Sequence, residues 1–349
     1  MSNEQALVTG LLVLPRLRIQ NANAISSPLT WGFPSITAFI GLMHVLERKL
    51  GSQTGLQFLK VGVICHGFEA QATQGGFTRS FHLTRNPVGK DGSTAAIVEE
   101  ARAHIDISLV FEVRFPLHQS SQTQRQDMAK QVGDLVEGIR VAGGSVMPSL
   151  DRPGLADRCR FRPYLELVED DDEQRRKAFR RLGRRLLPGF ALVSRDDLLQ
   201  ARLETLRQTD EEATVLDAWL SLSRLISRAT KVNETNQKTG EVTETVEWKT
   251  ERHKGWLVPI PVGYAALSAL HAPGEVANAR DDHTPLRFVE SVYSIGQWIS
   301  PHRLSDPSDL LWFGDRDEAT GLYRCINEFR TAVPIGMNPT FAAAAVQTN

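Results

Sequence analysis

The sequence predicts an α+β fold: a modified ferredoxin-like (RRM-like, βαββαβ) domain with a helical insertion and C-terminal strands that pack back on it. Three observations carry this expectation. Strand-type and helix-type apolar periodicities alternate through the first segment, an Arg- and Leu-rich stretch of helical spacing follows, and β-type runs return near the end. The boundaries fall at 1–154 for the ferredoxin-like domain, 155–230 for the Arg-rich helical insertion, and 231–349 for a hairpin arm and a C-terminal β/α region completing the core.

In chain order, Leu11, Val13, Leu17 and Ile19 make a β-type run, interrupted by Pro15 as at an edge strand or a bulge. Ser26, Ser27, Pro28, Gly32 and Pro34 mark a loop. From Ser35 to Leu50 the apolar residues recur at helical spacing, with Gly51 as the stop signal. Leu56–Ile64 and Ile105–Val113 read as strands, with a shorter one at Phe81–Leu83. Gln124–Val141 reads as a helix, and Val146-Met147 as a last short strand after Gly143-Gly144. The order is β-α-β-β-α-β. Ser93 and Thr94 are expected to cap a helix running through Arg102. Further on, Lys231–Glu247 suits an exposed hairpin turning at Lys238-Thr239-Gly240. Trp256–Pro261 is a strand, Arg287–Ile299 an amphipathic helix, and Leu310–Phe313 a final strand. The Ala-rich tail after Arg330 is expected to be loosely ordered.

Bulk properties exclude more than they select. With 40 basic and 41 acidic residues the net charge is −1, so any nucleic-acid site must be a local concentration of cations. The three cysteines, Cys65, Cys159 and Cys325, stand singly, which argues against a zinc site or a disulfide framework and for a reducing, cytoplasmic setting. Leu11–Leu14 is too short to span a membrane and carries no signal-peptide flanks. No cofactor or metal is expected.

Four segments can carry function. On a strand, Arg16, Arg18 and Gln20 share one face opposite Leu17 and Ile19, and Asn21 and Asn23 extend the polar supply; an ordinary solvated strand face reads the same way. Trp31 and Phe33 sit in a Pro/Gly loop before a helix, as stacking platforms or as core plugs. Arg85 and Asn86 precede Pro87 in a loop suited to recognition. The run from Arg175 to Leu186, wound at ~100° per residue, aligns Phe179, Leu182 and Leu186 on one stripe. Arg176, Lys177, Arg180, Arg181, Arg184 and Arg185 then crowd the other side, fit either for an anionic partner or for a helix dipole begun by Glu169–Glu173. Catalysis finds little footing. The histidines follow no metal or nucleophile spacing, and only His66 and His82 offer a general base. Asp170–Asp172 is a poor metal cage, and the RNA-recognition consensus is absent.

Taken together, Leu14–Phe33, Leu83–His104, Asp172–Arg195, Gly255–Tyr264, Pro273–Glu290 and Trp298–Trp312 resemble the second Csy subunit of the type I-F CRISPR surveillance (Csy, Cascade) complex, in the Cas-five branch of repeat-associated RNA-binding proteins. Phe111–Gln126, Leu150–Val168 and Ala229–Lys254 depart from that pattern. The resemblance implies a non-catalytic subunit of antiviral defence that binds the 5′ handle of the CRISPR RNA. It implies a heterodimer with the large Csy subunit, Cas-seven-type backbone subunits as neighbours, and target DNA in the assembled complex. Handle contacts would fall on Arg16, Arg18, Asn21, Asn23, Arg85 and Asn86, with Trp31 and Phe33 stacking or shaping that pocket. Arg176, Arg180, Arg181, Arg184 and Arg185 would meet RNA, DNA or the large subunit. The alternative is a metal-independent repeat-RNA endoribonuclease of the Cas-five type, with His66 or His82 as base.

Overall fold

The long first strand, β1 (Leu7–Asn23), sets the two sides of the molecule. Leu12, Leu14, Leu17, Ile19 and Ala22 enter one core, while Leu11 and Val13 enter another across the sheet. The chain is described by a computed structural model over residues 6–76, 78–85, 88–89, 91–148, 161–235, 242–251, 253, 255–279 and 281–330. A small hairpin, β2 (Ile25–Ser27) and β3 (Thr30–Trp31), leads to α1 (Ile36–Thr54). The helix runs through Gly51; the residue that ends it is Gly55, whose φ of +69° costs a glycine little.

Next come β4 (Gln57–Ala70) and two short hairpins, β5 (Ala72–Gly75) with β6 (Thr78–Phe81) and β7 (Leu83–Arg85) with β8 (Ile97–Glu99). The helix expected after Ser93 and Thr94 does not form. Asp91 Oδ1 accepts from the Ser93 amide at 3.1 Å and from Ser93 Oγ at 2.7 Å, so these side chains close a turn instead of capping a helix. The first segment ends with β9 (Arg102–Pro116), α2 (Gln122–Glu137), β10 (Arg140–Val141) and β11 (Gly144–Val146).

The Arg-rich segment supplies β12 (Tyr164–Leu167), α3 (Asp172–Arg185), β13 (Phe190–Ser194), α4 (Asp196–Arg207) and α5 (Val215–Ser223). The polar stretch that follows is a hairpin, as expected: β14 (Ile226–Thr235) pairs with β15 (Val242–Glu251) along their full length. Its expected turn at Lys238-Thr239-Gly240, and the tail after Arg330, lie outside the described residues. The chain closes with β16 (Trp256–Ala266), β17 (Val289–Ile299), α6 (Pro307–Leu310), β18 (Trp312–Asp317) and β19 (Leu322–Asn327).

The result is a mixed α/β architecture dominated by one antiparallel sheet. Its order is β10–β11–β1–β9–β4–β13–β17–β16–β19–β18, with β12 beside the start of β1. β18 curls back onto β4, placing Trp312 opposite Val61. One face, here called inner, packs Leu14, Leu17, Ile107 and Leu109 against Phe39, Leu46 and Val132 of α1 and α2. On the outer face, α3 and α6 cover Val13, Ile64 and Val110, and α4 and α5 cover Ile295. Gly62 lets α6 come close, since a Cβ there would collide with Leu310.

Residues 287–299 overturn the helix expected there. β17 is a central strand whose even-numbered Val292 and Trp298 pack on the inner core, while Ile295 and Ile299 pack on outer clusters. A strand buried on both faces loses its alternation, and its apolar spacing then imitates a helix.

Candidate nucleic-acid interface

Two β-bulges meet at Ser108. The β1–β9 register slips between Leu14 and Leu17, and the β4–β9 register slips between Cys65 and Gly67. Pro15 has no N–H to give the ladder, which explains the first slip; Arg16 takes the left-handed φ of +56° there. The displaced residues, Arg16 and His66, approach Ser108 from either side. Ser108 Oγ accepts the Arg16 amide at 3.0 Å and lies 2.7 Å from His66 Nε2. His66 Nδ1 lies 2.6 Å from the Pro188 carbonyl. A carbonyl only accepts, so Nδ1 carries the proton and Nε2 receives the Ser108 hydroxyl. Burial holds the His66 pKa below its ordinary value, helped by the Arg16 cation and opposed by the Pro188 carbonyl and Asp106. The Arg16 guanidinium bonds Asp106 Oδ2 at 3.3 Å and Pro188 O at 3.5 Å, leaving its side chain 12% exposed.

Past this knot the described residues leave the outer face uncovered. α3 covers it only as far as the bulge, and Arg18 and Gln20 stand exposed with no side-chain partner among the described residues. Leu17 and Ile19 are buried behind them, so the expected two-sidedness of this strand holds. Arg16 alone leaves the row, because the bulge turns it towards Asp106. At the strand's end, Asn21 has φ +58° and its Oδ1 accepts from Gln71 Nε2 at 2.8 Å; that amide also lies 2.7 Å from His104 Nε2. Asn23 folds its amide onto Ile25, donating to the carbonyl at 2.7 Å and accepting the N–H at 3.2 Å.

Trp31 and Phe33 lie on the inner side at this end of the sheet. Phe33 stacks on Phe39 at 5.8 Å and meets Trp298 edge-on at 5.0 Å, so it is partly a core residue. Trp31 is 53% exposed and touches Phe81 edge-on at 5.5 Å. Both line a pocket of about 510 Å³, shared with Phe68, Phe190, Trp256 and Trp298. The ring chain Phe190–Trp256–Trp298–Phe33 has centroid spacings of 5.4, 6.2 and 5.0 Å. Beyond Cys65, β4 pairs only with β9 among the described residues, and the pocket opens at this free edge, with His66 and Gly67 on its rim. Burial pushes the Cys65 thiol up to about 12.

Arg85 ends β7; Asn86 lies outside the described residues. His82 is exposed, its Nε2 3.2 Å from Thr73 Oγ1 and apart from the Ser108 knot. α3 forms as expected, capped by Asp171, with Phe179 and Leu182 buried and Leu186 buried just after its end. Arg175 pairs with Asp172 and Asp306, and Arg185 with Glu166 while lying over the Tyr164 ring. Arg176, Lys177, Arg180, Arg181 and Arg184 are exposed and have no carboxylate partner among the described residues. The segment after α3 reaches Pro188, whose carbonyl binds His66 and Arg16, so the basic helix abuts the bare face.

Sequence reasoning missed Phe68, Phe190 and Trp298 of the pocket, and Ser108 and Asp106 of the knot. Their separations in sequence exceed any local spacing; the pairing of β9 with β1 and β4 assembles the knot, and that of β13 with β4 and β17 assembles the pocket.

The family model for CRISPR-associated protein (Cas_Csy2) matches residues 12–325, a span that contains every residue named in this interface. The chain belongs to the Csy2 family. It is 50% identical over 318 residues to CRISPR-associated protein Csy2 of Pseudomonas aeruginosa (strain UCBPP-PA14), covering 90% of this chain and 94% of that protein. The resemblance to the second Csy subunit of the type I-F complex is therefore met. No helix among the described residues is long and apolar enough to cross a membrane.

Proposed function

We propose that this Csy2-family chain is a non-catalytic subunit of the type I-F interference complex that holds the 5′ handle of the CRISPR RNA. Arg18 and Gln20, without a side-chain partner among the described residues on a sheet face that ends at an aromatic pocket, carry the reading: a cation and an amide for phosphate beside rings for bases are what a single strand needs. The strand order β11–β1–β9–β4, with α1 and α2 on one face, supports a ferredoxin-like module as the platform. The engaged state of His66 supports a non-catalytic role. Both ring nitrogens are tied up, and Ser108, its hydroxyl partner, is 1% exposed. The large Csy subunit, Cas-seven-type subunits and target DNA complete the proposed assembly, and the cations of α3 supply a second anionic contact.

The test is photocrosslinking in the assembled complex, with a thiolated nucleotide at each handle position in turn. Crosslinks to residues 16–23 are expected. Their absence from every position would overturn the proposal, and metal-free cleavage of repeat RNA by the purified chain would overturn its non-catalytic part.

A further inference from the structure

We infer that the aromatic pocket at the free edge of β4 takes one unpaired nucleobase, held by stacking and shape and blind to the base's hydrogen-bonding edge. This rests on the RNA-holding role proposed above and specifies what that site does. Trp31, Phe68, Phe190 and Trp256 keep 53, 40, 43 and 57% of their surface exposed around one cavity, a concentration of bare ring surface that a chain keeps at a binding site. The volume, about 510 Å³, suits a single base with its sugar at the mouth.

Charge decides between a base and an apolar side chain of a protein partner. Gly67 on the rim lies opposite Asp106, whose carboxylate is met by Arg16, and Asp106 lies opposite Arg18, so one row of the outer face runs from the pocket mouth to a guanidinium with no partner among the described residues. Two strand spacings separate its ends, roughly 10 Å. A strand whose phosphate meets Arg18 can therefore turn one base over the β4 edge into the rings. An apolar side chain would leave that cation unanswered.

The polar groups of the wall explain the blindness to base edges. Ser26 Oγ accepts from the Ser35 amide at 2.9 Å, Thr30 Oγ1 is bonded to Ser27 Oγ at 2.6 Å, and Ser35 Oγ is bonded to Thr37 Oγ1 at 2.8 Å and to the Pro261 carbonyl at 3.2 Å. His66 is committed at both nitrogens. With most of these groups engaged, and no carboxylate, carboxamide, ammonium or guanidinium side chain among the described residues of the lining, recognition falls chiefly to ring area, and purines should outrank pyrimidines.

The experiment assembles the complex on synthetic guides in which each handle nucleotide in turn is abasic, and measures guide affinity for the unaltered chain and for Trp256→Ala. One position is expected to lose on the order of tenfold when abasic, to tolerate base exchange, and to become insensitive in Trp256→Ala. Trp256→Phe should restore the sensitivity, and Phe190→Ala, also at an exposed ring, should behave as Trp256→Ala. If no abasic position couples to Trp256 or Phe190 while Arg18→Ala still weakens guide binding, the pocket inference fails and the handle role stands. If neither ring nor Arg18 affects guide binding, both fail. Loss of binding on base exchange comparable to the abasic loss would overturn the claim that the edge goes unread.

Discussion

Ser108 Oγ lies 2.7 Å from His66 Nε2, and the two residues join bulges on β1 and β4 through the strand between them. The pair resembles a nucleophile and its base, yet its surroundings make it a fastening. Ser108 is buried, the second ring nitrogen is held by Pro188, and Arg16 hangs from the same hydroxyl through its amide.

A pH dependence follows from that arrangement. The folded chain keeps His66 neutral, chiefly by burial, so its folded pKa lies below the ordinary value near 6.5. The unfolded chain binds a proton there more readily, so stability from this site is full above the unfolded pKa and is lost as pH falls through the lower folded one. Thermal melts between pH 7.5 and pH 5 should show an acid-side loss that His66→Gln reduces. An unchanged acid limb in that variant would remove His66 from the account.

The two arginines of β1 should separate in experiment. Arg16 is nearly buried and paired with Asp106, so Arg16→Ala is expected to cost about 1–3 kcal/mol of stability by leaving that carboxylate unpaired. The Arg18 side chain makes no hydrogen bond or ion pair among the described residues, so Arg18→Ala should leave the unfolding midpoint unchanged and weaken guide binding instead. Chemical denaturation alongside guide-binding titration distinguishes them. A fall in stability for Arg18→Ala equal to that for Arg16→Ala would contradict the assignment.

What could be read ahead of the structure depended on whether the signal was local. Leu17 and Ile19 against Arg18 and Gln20 declared the two faces of β1, and Phe179, Leu182 and Leu186 declared the buried stripe of α3. Pro15 announced a bulge, but not that the bulge would turn Arg16 away from its neighbours, because that direction is set by Ser108 and Asp106 on another strand. Arg287–Ile299 misled for a related reason: helices on one side and the main core on the other bury both faces of β17, and burial on both faces erases the period that marks a strand. The pocket had no local signature. Trp31, Phe68, Phe190 and Trp256 come from four separate segments, and long-range pairing alone assembles them.

Trp312 tests the closure of the sheet. It is fully buried where β18 returns to β4, and its Nε1 donates to the Leu192 carbonyl at 2.9 Å. Trp312→Ala should cost about 3–5 kcal/mol through the cavity it leaves. Trp312→Phe should cost less, since it fills much of the space and forfeits the hydrogen bond. Equilibrium unfolding in urea reads both, and equal losses would mean that the indole bond outweighs the packing.

The outward cations of α3 test whether the basic helix binds an anion or merely completes its own dipole. Arg184 and Arg185 at its end and Asp172 and Glu173 at its start already suit the dipole, and Arg185 is paired with Glu166. Arg176, Lys177, Arg180, Arg181 and Arg184 have no carboxylate partner among the described residues, and like charges on adjacent turns repel one another. If they lie against a nucleic-acid strand, each phosphate released should lower the salt slope of log K by about 0.7 for single-stranded RNA. The variant Arg180→Gln/Arg181→Gln/Arg184→Gln should then bind more weakly and with a shallower slope, while its unfolding midpoint holds or rises as the repulsion is relieved. A partner protein carrying acidic side chains would instead leave the RNA slope unchanged and weaken assembly of the complex. Titrations of the assembled complex at stepped ionic strength, run beside subunit pull-downs, distinguish the two.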